Sequence, residues 1–114
     1  MNDCLFCKIA AGEIPSSKVY EDEVFFAFRD IAPQAKVHVL VIPKKHVPDL
    51  TAAANEDDAL LSGLLRTAAA VAEKEGIAAS GYRVVSNCGS DACQSVPHLH
   101  LHVLGGKQLS GAMA

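Results

Sequence analysis

From Asn55 to Gly76 apolar side chains recur at helical spacing, with Leu60, Leu61, Leu64, Leu65, Ala68, Val71 and Ala72 along one side. Asn55 suits the N-cap, Glu56, Asp57 and Asp58 favour the positive end of the helix dipole, and Gly76 suits the stop. One long helix with a single apolar stripe needs a surface to cover, and the rest of the chain supplies strands. The segment KVYEDEVFFAFRD reads as two short strands around an acidic turn. KVHVLVIP reads as a nearly continuous apolar strand, closed by Pro43 and buried on both faces. GYRVVSN and PHLHLHVLG are the last two strands. This order predicts an α+β domain, an antiparallel five-stranded sheet with the long helix over one face. Of the 114 residues, 50% are hydrophobic, enough for one core, and no repeat or linker divides the chain. Residues 1–114 therefore read as a single domain.

A formal net charge of -3 supplies no basic face for a phosphate backbone, which argues against nucleic-acid partners. The opening MNDCLFCKIA carries an early acid and no long apolar run, so neither a secretory signal nor a membrane anchor is expected. The cytoplasm is the expected compartment. There, four cysteines read as thiols or metal ligands rather than as a disulfide framework.

Three of the five histidines, His98, His100 and His102, alternate with Leu99, Leu101 and Val103. In an extended strand the imidazoles share one face, about 7 Å apart, while the apolar residues share the other and dock on the helix. Such a row can chelate a metal or attack phosphorus or carbon, and the residues alone leave both open. Just upstream, NCGSDACQSVP collects donors from Asn87, Gly89, Ser90, Gln94 and Ser95, fixed dipoles of the kind that stabilise an anionic transition state. Cys4 and Cys7 have the C-x2-C spacing whose thiolates hold a metal from a tight turn. Cys88 and Cys93 lack such partners and read as reduced thiols. His38, inside the apolar third strand, reads as a core residue satisfied by a hydrogen bond.

The segments HLHLHVL, DIAPQAKVHVLVIPKKH and GYRVVSNCGSDACQSVPHLHLHVLGG, and more loosely CLFCKIAAGEIPSSKVYEDE, resemble the histidine triad (HIT) superfamily and its Hint branch of nucleoside phosphoramidases. The resemblance implies a HIT-like fold with a short N-terminal helix beside the long one, and a homodimer whose two sheets join. It also implies a site for purine nucleoside monophosphates and their amine conjugates. His100 becomes the nucleophile toward the α-phosphorus, His102 a contact to the phosphate oxygens, and His98 completes the catalytic row. Ser95 would deliver a proton to the departing nitrogen, Gln94 and the loop amides would steady the phosphate, and Asn87 would lie near ribose and phosphate. Asp30 would bind the ribose hydroxyls, with Phe6, Phe28 and Ile31 forming the slot for the base.

Attack on phosphorus needs a neutral imidazole, so the other ring nitrogen of His100 should donate to a fixed acceptor such as a backbone carbonyl. Some bacterial members of the family complete a zinc site at the positions of His46 and His98. The resemblance therefore implies a structural zinc on Cys4, Cys7, His46 and His98, with no cofactor needed for catalysis. In place of the family's tryptophan-containing tail stands GGKQLSGAMA, with Lys107 where a basic residue often occurs. Three rival readings remain: hydrolysis of dinucleoside polyphosphates or other adenylyl compounds by the same histidine, a nucleotide-binding scaffold dimer with incidental turnover, and a metal-dependent hydrolase site on the histidine row.

Overall fold

The computed structural model describes residues 3–113. Its elements are α1 (Leu5–Ala10), β1 (Lys18–Glu21), β2 (Phe25–Arg29), β3 (Val37–Pro43), α2 (Leu50–Ala53), α3 (Asp58–Lys74), β4 (Tyr82–Val85) and β5 (Leu101–Gly105), with a 3-10 turn at Ser90–Ala92. The strands form one antiparallel sheet in the order β1-β2-β3-β5-β4. β3 is central, and its lack of charge follows: every residue from His38 to Pro43 is buried.

Alternation along β3 feeds two cores. Val39 and Val41, with Leu99, Leu101 and Val103, pack beneath Leu60, Leu64, Ala68 and Val71 of α3. Leu40 and Ile42 point the other way, to Phe26, Phe28 and the Phe6 and Ile9 side chains of α1. The long helix closes one face of the sheet, and the short one closes part of the face on which the histidines stand. Among the described residues no helix is long and apolar enough to cross a membrane.

Two boundaries differ from the sequence expectation. Asp57, not Asn55, caps α3, accepting the Leu60 N–H at 3.0 Å. Asn55 is already committed to the preceding turn, where its N–H donates to the Ala52 carbonyl at 3.2 Å behind the separately capped α2. The last strand begins at Leu101 rather than at Pro97. The register that sets Val41 opposite Leu101 would put Leu99 opposite Pro43, which has no N–H to give. Instead the Leu99 N–H bonds the Val47 carbonyl at 2.6 Å, and the Pro43 carbonyl takes the His98 ring at 2.8 Å. The stop at Gly76 is as expected: with φ at +76°, it lets its own N–H reach Glu73 O at 3.1 Å and the Ile77 N–H reach Ala72 O at 3.0 Å.

Gly63 of α3 faces the Phe25 ring, and a Cβ there would lie 2.6 Å from Cε2 and 2.7 Å from Cζ. Alanine would add about 1 kcal/mol of helix propensity, but overpacking a filled core costs about 1–3 kcal/mol. Gly63→Ala is therefore expected to lower the urea midpoint of unfolding; a higher midpoint would show that the ring moves aside freely.

Candidate active site

His100 precedes β5 directly, is 2% exposed, and has Nδ1 2.7 Å from the carbonyl oxygen of His98. A carbonyl only accepts, so a proton sits on Nδ1, and the neutral form of the ring has its lone pair on Nε2. The fixed acceptor expected beside a nucleophilic imidazole is thus present. Among the described residues nothing hydrogen-bonds that Nε2.

His102 is set differently. Leu40 of β3 stands opposite it, so His38 is its diagonal neighbour across the ladder. The Gln34 N–H donates to His38 Nδ1 at 2.9 Å, which leaves the His38 proton on Nε2, and that N–H donates to His102 Nδ1 at 2.8 Å. Asp30 Oδ2 lies 3.5 Å from the same Nε2. By the same accounting, neutral His102 carries its proton on Nε2. The His100 and His102 rings meet edge to face, with centroids 5.1 Å apart, one offering a lone pair and the other an N–H. Burial pushes the His102 pKa down to about 4, with His100 and His38 adding to the shift and Asp30 opposing it. Burial likewise lowers His38, against the pull of Asp30. His38 does satisfy a buried hydrogen bond, as expected, but its further role in fixing the His102 proton was missed, because that role depends on which strand lies beside β3.

The cavity in front of these rings holds about 430 Å³. Leu5, Phe6, Ile9, Phe28 and Ile31 give it an apolar side, and Asp30, Ser95, His100 and His102 a polar one. Phe6 stands edge-on to Phe28 at 5.3 Å and to His100 at 5.1 Å. Asp30 is aimed by the Ala32 N–H, which donates to Oδ1 at 2.8 Å. Leu5 was not anticipated; an exposed leucine on a six-residue helix carries no mark of function in the sequence. Asn87 and Gln94 lie outside the lining. Gln94 accepts from the Gly89 N–H at 2.9 Å and donates to the carbonyls of Pro48 at 2.8 Å and Val96 at 3.0 Å. Its amide fastens the loop that carries Ser95. A larger hollow of about 570 Å³, beside Lys36, Arg83 and Lys107, has neither histidine nor cysteine in its lining, whereas the smaller one brings His100 and His102 together with Asp30 and Ser95.

Behind the row, the fully buried His98 donates from Nε2–H to Pro43 O, so its Nδ1 lone pair is left for other partners. Around that atom lie Cys4 Sγ at 3.3 Å, Cys7 Sγ at 3.4 Å and His46 Nδ1 at 3.3 Å. All four ligand atoms fall within 4.8 Å of one another. A tetrahedral ion bonded at about 2.3 Å to sulfur and about 2.0 Å to nitrogen sets nitrogen about 3.3 Å from nitrogen, about 3.5 Å from sulfur, and the two sulfurs about 3.8 Å apart. This group can bind a metal ion. The ligand atoms of Asp30, His38 and His102 also lie within 4.8 Å of one another. There, however, the Gln34 N–H occupies Nδ1 of His38, so a metal on Nε2 would demand an imidazolate, and the hydrogen-bond chain from Gln34 to His102 is the better account. Cys88 lies 3.3 Å from Thr51 Oγ1 and Cys93 is exposed; neither belongs to the metal group.

The HIT domain family matches residues 11–109. An uncharacterized HIT-like protein of Synechococcus elongatus is 51% identical over 95% of this chain and 94% of its own. The purine nucleoside phosphoramidase of Escherichia coli is 42% identical over 98% of this chain and 94% of its own. Among solved structures, a HIT family hydrolase from Legionella pneumophila superposes with a TM-score of 0.92 at 49% identity, covering 96% of this chain and 97% of that one.

Because the folded state refuses His102 a proton until about pH 4, while an unfolded chain accepts it near 6.5, stability falls as pH drops through that window. Thermal midpoints measured between pH 7 and 4.5 are expected to decline, and less steeply for His102→Asn. Equal slopes for the two proteins would remove His102 from this account.

Proposed function

Because the chain belongs to the HIT domain family, we infer that it is a hydrolase of that family whose substrates are purine nucleoside phosphoramidates. The observation that carries this reading is the Nδ1–H bond from His100 to the His98 carbonyl, which keeps the Nε2 lone pair of a cavity-lining ring available. The base enters between Leu5, Phe6, Phe28 and Ile31, and the ribose hydroxyls meet Asp30. Nε2 of His100 attacks the α-phosphorus, the P–N bond to the amine breaks, and a nucleotidyl-histidine forms. The departing nitrogen takes a proton through the Ser95 hydroxyl, since an unprotonated amine leaves poorly. The His102 N–H faces a non-bridging phosphate oxygen. Water then attacks the same phosphorus, releasing the nucleoside monophosphate, restoring Nε2 and returning the proton. Gln94 serves by holding the loop.

We assign zinc to the Cys4, Cys7, His46 and His98 group: two thiolates and two neutral imidazoles balance a divalent ion, and four protein ligands make the site structural. It supplies a crosslink and takes no part in a chemical step. The edge strand β4 exposes Tyr82 and Val84, which supports a homodimer in which a second sheet continues this one. The reading places the protein in the cytoplasm.

His100→Asn is expected to slow hydrolysis of an adenosine phosphoramidate at least about a thousandfold, and wild-type turnover should be faster on that substrate than on a diadenosine polyphosphate. Full activity in the variant would overturn the nucleophile. Faster cleavage of the polyphosphate would keep the nucleophile and overturn the leaving group. Protein purified without chelators should sediment as two chains carrying one zinc each; a monomer, or zinc far below that ratio, contradicts the assembly or the metal respectively.

A further inference from the structure

Two of the four metal ligands sit on α1, with Phe6 between them: Cys4 is its N-cap and Cys7 lies one turn in. Six residues are too few for a helix to hold itself, and the Cys4 side chain is turned to His98 rather than to the helix's own N–H groups, so α1 depends on what it packs against. Phe6 is 5% exposed and edges onto both His98, at 6.0 Å, and His100, at 5.1 Å. Leu5 and Phe6 also wall the cavity. The other end of the cluster reaches the same site from below: His98 offers Nδ1 to the ligand group, and its carbonyl fixes the His100 proton. One ion would therefore hold both the apolar wall over the base and the backbone oxygen that orients the nucleophile.

We propose that Cys4, Cys7 and His46 are positioning residues for the nucleotide cavity, so that metal loading and nucleotide binding are positively linked. The inference rests on the reading that the cavity takes a purine nucleoside monophosphate. Linkage is reciprocal: whatever factor the metal adds to nucleotide affinity, the nucleotide adds to metal affinity.

The test uses AMP and zinc. Calorimetry should show AMP binding zinc-loaded protein about tenfold more tightly than chelator-stripped protein, and saturating AMP should lower the equilibrium transfer of zinc to a chromophoric chelator by a like factor. His46 is exposed and outside the cavity lining, so His46→Asn weakens the metal without opening the core, and it should reproduce the stripped behaviour even if stripping unfolds the wild type. Zinc-loaded Phe6→Leu should show a smaller mutual effect, which a purely stabilising metal would not produce. AMP affinities within twofold across loaded, stripped and His46→Asn proteins, or zinc transfer indifferent to AMP, would overturn the proposal while leaving the hydrolase reading intact. Failure of AMP to bind the loaded protein would instead overturn the cavity assignment, and the proposal with it.

Discussion

The bond from His100 Nδ1 to the His98 carbonyl, 2.7 Å long, decides where the reactive lone pair stands. Imidazole has two nitrogens and, when neutral, one proton. If that proton stood on Nε2, the ring facing the cavity would be a donor and could not attack phosphorus. A backbone carbonyl resolves the ambiguity because it can never donate. Its position depends on β3 ending in proline: with no N–H at Pro43 the ladder stops, His98 leaves it, and the chain from His98 to His100 turns so that one carbonyl faces the ring two residues on.

A second chain of hydrogen bonds gives His102 the opposite character. It starts at the Gln34 amide, passes through His38, and ends with a proton on the cavity side of His102. Two identical residues, one alternation apart, thus offer a lone pair and an N–H to the same cavity. Burial keeps His102 uncharged in neutral solution, so the contrast comes from proton position rather than net charge. Selecting tautomers by backbone groups is robust, since no side chain has to ionise for the site to be ready.

Much of this was legible because the chain is locally consistent. The uncharged run around Val39 and Val41 could only be a central strand, and the stripe from Leu60 to Val71 could only lie on a sheet. The alternation of leucine and histidine separated the two sides of the last strand and of the irregular segment leading into it, with Leu99, Leu101 and Val103 in the core beneath α3. What escaped depends on distant partners. The short N-terminal helix was expected from the family resemblance alone, because the six residues of α1 gain order from Phe26, Phe28 and Leu40 rather than from propensity. Asn55 lost its capping role to Asp57 because a separate turn intervenes, and Gln94 turned from the cavity because three backbone groups compete for its amide. His38 read as a core residue with a hydrogen bond, but that its partner is His102 depends on strand order putting β5 beside β3.

Nitrogen-15 NMR of the imidazoles at neutral pH tests the central claim most directly, since protonated and unprotonated ring nitrogens resonate far apart. The account requires His100 to be neutral with its proton on Nδ1, and His102 neutral with its proton on Nε2. A His100 ring protonated on Nε2, or charged at that pH, would leave no lone pair facing phosphorus and would contradict the mechanism.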